Sequence, residues 1–152
     1  MLSSRENYEQ FIYTLTERYP QIKFSTLVLK MLSPYDGQLM GEIHFAQEIV
    51  LSVSETVNFR DGRIQQYSYA VFRSREKLYW YDSQPHPHDP LLQSTHPHHK
   101  HIPPDIKHHR ILAPGISFVQ PNLPFLIQEV EETLLSPMIE SNEPGSSQAA
   151  DC

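Results

Sequence analysis

Hydrophobic and polar positions run along this chain in two rhythms, and the change between them marks the elements. Tyr8, Phe11, Ile12, Leu15 and Tyr19 recur at helical steps and build one apolar stripe. Ser3-Ser4-Arg5-Glu6 ahead of them has capping-box spacing. Pro20 ends the stripe, because proline has no N–H to give and disfavours helix at the residue before it. So short a helix is unstable alone and must pack on something.

From Gln21 the period becomes two. Residues 22–31 are rich in β-branched and apolar side chains and predict a strand, followed by a turn at Ser33-Pro34-Tyr35-Asp36-Gly37. Residues 39–45 predict the next strand. Ile49, Leu51, Val53, Glu55, Val57 and Phe59 then share the inward face of another. Arg60-Asp61-Gly62-Arg63 is an Asp-Gly hairpin signal. Residues 64–73 and 77–82 give two more strands, joined by a link short enough for a hairpin. Short connections make antiparallel neighbours, and no helical stripe separates the strands, so a doubly wound parallel sheet is not expected. Residues 83–121 read as one long loop, with extended pieces at Ile111-Leu112 and residues 116–119. Leu123, Ile127, Val130 and Leu134 return to helical spacing, with Asn122 placed to cap and Pro124 in the first turn. Ser136-Pro137 stops this helix. The expected fold is α+β: an antiparallel meander of about five strands over residues 21–82, with an N-terminal and a C-terminal helix packed on one face. Residues 1–136 form the single expected domain, and 137–152 are expected to be a disordered polar tail.

Composition changes this picture in one place. The chain has 152 residues, 9 histidines and 13 prolines against 5 glycines. Eight of the histidines (86, 88, 96, 98, 99, 101, 108 and 109) and nine of the prolines fall within residues 85–124. A loop this long in a compact domain is normally functional or disordered. Charge points to the same segment. Residues 60–110 carry eight Lys/Arg and five Asp/Glu, whereas residues 1–59 carry four and seven, and residues 111–152 none and six. The formal net charge of −6 argues against general coating of nucleic acid. It leaves a local cationic site open. The one cysteine, Cys152, can form neither an internal disulfide nor a cysteine zinc site. No signal core and no membrane-length apolar run is present, so the expected location is cytoplasmic and no membrane partner is expected.

The densest chemistry lies in His96-Pro97-His98-His99-Lys100-His101. If extended, this run points His96 and His98 one way and His99 and His101 the other. Imidazole serves as acid, base or metal ligand near neutral pH, and Lys100 adds a permanent cation. Asp82 and His86, just after the last strand of the meander, are close enough in sequence to join the run. The bland alternative is a set of solvated loop histidines. His96, His98, His99 and His101 could also ligate a divalent transition metal such as zinc, although no carboxylate stands in register within the run. Glu55 falls on an apolar strand face between Val53 and Val57. It must meet a cation or histidine, or a bulge must turn it outward. Tyr67 and Tyr69 share a strand face, with Arg73 further along. They are candidates for binding a substrate by stacking on bases, against the alternative of core pairing. There is no glycine-rich phosphate loop, no Gly-x-Ser-x-Gly elbow and no catalytic-type cysteine.

Tyr67-Ser68-Tyr69, Tyr81-Asp82-Ser83-Gln84-Pro85-His86 and Pro97-His98-His99-Lys100-His101 together resemble the TumE-like family, the toxin components of bacterial and archaeal toxin–antitoxin pairs. The family pattern has a strand ending in Glu, matched by Glu55. It then has a Tyr-Ser-Tyr strand, an Asp-Asn-x-Pro-His-His turn and a Pro-His-His-x-His stretch. The resemblance runs from about residue 38 to residue 135. Two positions depart from it: Ser83 stands for the usual Asn, and Pro87 for the second turn histidine. The resemblance implies a small toxin with an antitoxin partner, and many toxins of that kind cut RNA. The residues allow a metal-independent endoribonuclease with no cofactor. In that reading His98 and His101 are the acid/base pair, His86, His99 and Glu55 orient them, and Lys100 stabilises the phosphate, with Asp82 close by. Two other readings remain open. One is a non-enzymatic interaction module that binds an antitoxin-like partner. The other is a histidine-rich metal-binding protein or metal-dependent hydrolase.

Overall fold

The computed structural model describes residues 1–83 and 98–135. The N-terminal stripe folds as two pieces, α1 (Arg5–Tyr13) and α2 (Leu15–Arg18), rather than one helix. The cap is Ser4, whose hydroxyl accepts from the Asn7 N–H, so the helix begins one residue later than a Ser3–Glu6 capping box would place it.

Among the described residues eight strands follow: β1 (Ile22–Ser25), β2 (Val28–Met31), β3 (Asp36–Phe45), β4 (Ile49–Asn58), β5 (Arg63–Arg73), β6 (Glu76–Asp82), β7 (His99–His101) and β8 (Arg110–Leu112). They form one antiparallel sheet in the order β1-β3-β4-β5-β6-β7-β8, with β2 also paired to β3. The α+β class and the meander therefore stand, and the strand count is larger than the periodicity gave. Two differences account for it. The first predicted strand is broken into β1 and β2, which pair with successive stretches of β3. The expected long loop contributes two more strands, because His99–His101 pairs with β6 and Arg110–Leu112 pairs with β7.

Register decides which side chains share a face. Gly41, Val53, Tyr69, Tyr81, Lys100 and Ile111 form one row of cross-strand partners. With Leu39, Ile43, Leu51, Val57, Val71 and Tyr79 this face carries the apolar side chains that the central strands bury. Burial of each such side chain stabilises by about 1.5–3 kcal/mol. Tyr8 of α1 packs above the same face, its ring 6.1 Å from that of Phe59. The opposite face carries Ser54, Ser68, Asp82 and His99 in one row and Ser52, Ala70, Trp80 and His101 in the next.

Gly41 is where the break between β1 and β2 becomes sterically feasible. Its φ is +142°, and a Cβ there would stand 2.7 Å from the Thr26 carbonyl oxygen and 2.8 Å from the Leu27 Cα. Both obstacles are backbone, so neither can rotate away. Gly41→Ala is expected to cost about 1–3 kcal/mol of stability, read as a lower denaturant midpoint. An unchanged midpoint would refute the close approach.

The chain divides into two compact units, residues 1–122 and residues from 123 onward. The second unit contains α3 (Leu123–Val130) and a π-helical turn (Glu131–Leu135). Leu123, Leu126, Ile127 and Val130 are its buried stripe. Asn122 does not spend its side chain as expected. Its Oδ1 accepts from the Ser117 N–H, and its Nδ2 donates to the Ser117 carbonyl and to the Tyr69 hydroxyl. Among the described residues no helix is long and apolar enough to cross a membrane. The expected tail, 137–152, lies outside the described residues.

Candidate functional site

Strand alternation places Trp80 and Asp82 on one side of β6. Antiparallel pairing sets Trp80 opposite His101 and Asp82 opposite His99. Four polar or aromatic groups therefore meet at the end of two hydrogen-bonded strands, where backbone pairing fixes their spacing. The His99 Nε2 lies 2.6 Å from Asp82 Oδ1, and the His101 Nε2 lies 3.2 Å from Asp82 Oδ2. Trp80 donates its indole N–H to Asp82 Oδ2 at 3.1 Å, and its ring stacks on His101 at 4.0 Å. The other ring nitrogen of His101, Nδ1, lies 3.1 Å from the Ile106 carbonyl.

His99 and His101 are almost completely buried, at 2% and 1% exposure, while the Asp82 side chain is 20% exposed. Burial pushes the Asp82 carboxyl up. The hydrogen bonds from His101 and His99, the His99 charge and the Trp80 N–H outweigh that and hold it well below the usual carboxylate range. Asp82 is thus a fixed anion clasped by two imidazoles. His101 faces an acceptor at each nitrogen, so its surroundings are satisfied when both nitrogens carry protons.

On the opposite side of β7 lie His98 and Lys100. The His98 Nδ1 is 2.6 Å from the Tyr67 hydroxyl, and its ring stacks on Tyr67 and packs against Phe118. Burial, and then the Asp82 charge, raise the Tyr67 hydroxyl far above its ordinary value, so it remains a neutral phenol. The Lys100 Nζ stands 4.3 Å above the Tyr79 ring and 5.3 Å from that of Tyr81.

The structure therefore unites some of the candidate residues and separates others. Asp82, His99 and His101 come together. His98 and His101, paired in the sequence reading, are on opposite faces of β7. Glu55 meets neither a histidine nor a cation, and no bulge turns it outward. It is buried and accepts hydrogen bonds from the Tyr8 and Tyr69 hydroxyls, the latter at 2.7 Å. Its carboxyl is raised by burial, against the lowering effect of those two hydroxyls. Tyr67 and Tyr69 lie in the core, at 4% and 0% exposure, rather than on an open face. Arg73 sits beside Glu76, at the opposite end of β6 from Asp82. His86 and His96 lie outside the described residues.

Sequence reasoning missed Trp80 and the Ile106 carbonyl as partners of the cluster. Trp80 was accessible by period two alone, since it stands two residues before Asp82. The Ile106 carbonyl carried no signal, because a backbone acceptor has no residue type. The three ligand-capable atoms of Asp82, His99 and His101 lie within 4.8 Å of one another. The carboxylate that the His96–His101 run lacked is thus supplied from the neighbouring strand.

An antiparallel sheet in which two neighbouring strands gather an Asp/His/His cluster, with no phosphate loop or nucleophile elbow in the sequence, is compatible with a small toxin. Comparison with known families makes that class definite: residues 12–134 match the model of a toxin family. That family is described as Toxin TumE, and the chain belongs to it. No curated protein and no solved structure matches the chain.

Proposed function

We propose that this toxin-family protein acts by cutting RNA, and that Asp82, His99 and His101 carry the reaction by histidine acid/base chemistry. The observation that supports this reading is one carboxylate held between two imidazoles at 2.6 and 3.2 Å on paired strands. Asp82 accepts the Nε2 proton of His99. That fixes the ring's tautomer and leaves its other nitrogen to take a proton from a ribose 2′-hydroxyl. The 2′-oxygen attacks the adjacent phosphorus and the bond from phosphorus to the 5′-oxygen breaks. His101, protonated at both nitrogens, donates a proton to that departing oxygen, and its positive charge offsets the negative charge gathered on the phosphate. The products are a 2′,3′-cyclic phosphate and a 5′-hydroxyl, with the proton count balanced. Asp82, the most exposed of the three, is the side from which substrate reaches the cluster. Membership of a toxin family implies an antitoxin partner, which would cover this opening or another surface. The expected compartment is the cytoplasm, where RNA is available.

The test is incubation of untagged protein with labelled RNA, with and without chelator, followed by analysis of the product ends. Cleavage is expected to persist in chelator and to give cyclic phosphate ends. Each of His99→Ala and His101→Ala is expected to lower the rate by about 10²- to 10⁴-fold. Full activity in both variants would remove these residues from the chemistry. Loss on His98→Ala alone would move it to the other face of β7. No cleavage by folded wild-type protein would favour the non-enzymatic interaction module.

A further inference from the structure

We propose that Asp82, His99 and His101 also form a binding site for a divalent transition metal of the zinc type, and that its occupancy switches the cluster off. The second half rests on the acid/base reading above, while the first stands on geometry alone. Two imidazole nitrogens and one carboxylate oxygen are a borderline donor set that suits zinc, cobalt or nickel and disfavours magnesium and calcium, which take oxygen ligands. With bonds of about 2.0–2.1 Å, two ligand atoms of a tetrahedral ion stand about 3.3 Å apart. The His99 Nε2 contact to Asp82 Oδ1, at 2.6 Å, must open by about 0.7 Å to reach that separation, and the His101 Nε2, 3.2 Å from the neighbouring Oδ2, stands on the same carboxylate. All three ligand atoms lie within 4.8 Å of one another.

The surroundings are those of a prepared site. The His101 Nδ1–H is held by the Ile106 carbonyl, which leaves Nε2 as the ligand nitrogen and fixes the ring plane. The Trp80 N–H holds Asp82 Oδ2, which leaves Oδ1 for a metal. The three ligands sit on paired strands, whose positions cost little to organise. Binding requires the Nε2 lone pairs of both rings, so the ion displaces the protons that face Asp82. Those are the proton that defines the tautomer of His99 and the one shared between His101 and the carboxylate. A metal-loaded cluster can therefore neither position its base nor donate its acid proton.

The experiment is a cobalt(II) titration of the untagged full chain, followed by visible absorption and then by displacement with zinc, without RNA. One equivalent with the intense spectrum of a four-coordinate ion is expected. Asp82→Asn and His99→Ala are expected to weaken binding by about 100-fold or more, and His108→Ala, an exposed histidine paired only to Asp105, to leave it unchanged. Circular dichroism of each variant separates loss of the site from loss of fold, and Asp82→Asn, being nearly isosteric, is the variant expected to fold. Undiminished binding in folded Asp82→Asn would overturn the site. RNA cleavage is then measured at rising zinc concentration, where inhibition with the same midpoint as the metal titration is expected. Cleavage unaffected by bound zinc, or dependent on it, would overturn the switch. Normal metal binding by a protein that cuts no RNA would leave the site standing and overturn the proposed function instead.

Discussion

Asp82→Asn is expected to slow RNA cleavage by about 10³- to 10⁴-fold while leaving the fold in place, by analogy with the loss seen when the orienting carboxylate of a catalytic triad becomes an amide. The reason is one of hydrogen-bond arithmetic. A carboxylate offers an acceptor to each of the two imidazoles, one on Oδ1 and one on Oδ2. An amide offers one acceptor and, on its other arm, two donors. One of the two rings must then face an N–H with its own N–H, and it escapes only by moving its proton to the other nitrogen or by swinging away. For His99 that shift occupies the nitrogen assigned to the 2′-hydroxyl. For His101 it removes the second proton and the charge. The negative charge that favours both protonated rings is lost as well. Asp82 acts through the imidazoles and is a positioning residue, so the measurement pairs the cleavage rate with circular dichroism and the thermal midpoint. A slow enzyme with near-native spectrum and midpoint is the expected outcome. Cleavage at the wild-type rate would refute the role of the clasp.

Glu55→Ala is expected to cost about 3–5 kcal/mol of stability, the largest single loss predicted for this fold. The substitution takes the acceptor from two buried hydroxyls, those of Tyr8 and Tyr69, and leaves a void among Leu39, Val53 and Val57. Glu55→Gln keeps the volume and one acceptor, and its amide N–H₂ can donate to the second tyrosine oxygen, so its cost is expected to be much smaller. The pair of variants also tests the ionisation. The folded carboxyl is raised above its value in the unfolded chain, first by burial. Between those two values the folded protein holds a proton that the unfolded chain releases. The contribution of Glu55 is therefore fully present below the ordinary carboxylate range and is lost as pH rises through the raised value. The slope is at most about 1.4 kcal/mol per pH unit for one proton. Denaturant titrations from mildly acidic to neutral pH are expected to show this decline in the wild type and its absence in Glu55→Gln. Parallel curves would mean that Glu55 titrates normally.

Several features were legible from local pattern alone. The strands from Asp36 to Asp82 follow period-two alternation, and their hairpins carry turn chemistry, such as Gly62 with φ +65°. Glu55 was marked as anomalous because a carboxylate fell where only apolar residues should. Other features were not legible. The break at Thr26–Leu27 depends on Gly41 of β3, and a window of sequence shows only one continuous strand-like stretch over residues 22–31. β7 and β8 have three residues each, too short for any periodicity to declare, and they are fixed by pairing, β7 on β6 and β8 on β7. Glu55 drew its partners from α1 and β5, neither of which could be named before the sheet face was known.

The histidine run illustrates the division most clearly. Its sequence determined that imidazole chemistry would be concentrated there, and that His99 and His101 would point away from His98. Both follow from residue type and from the alternation of an extended backbone. The sequence could not determine which side each group would occupy or what it would meet. Register between β6 and β7 decided that, setting His99 opposite Asp82 and His101 opposite Trp80. A slip of one residue would have turned Asp82 toward Lys100 and dispersed the cluster. Residue chemistry is local and is written in the chain. The distance between a carboxylate and two imidazoles separated from it by 17 and 19 positions is set by backbone pairing, and backbone pairing belongs to the folded sheet.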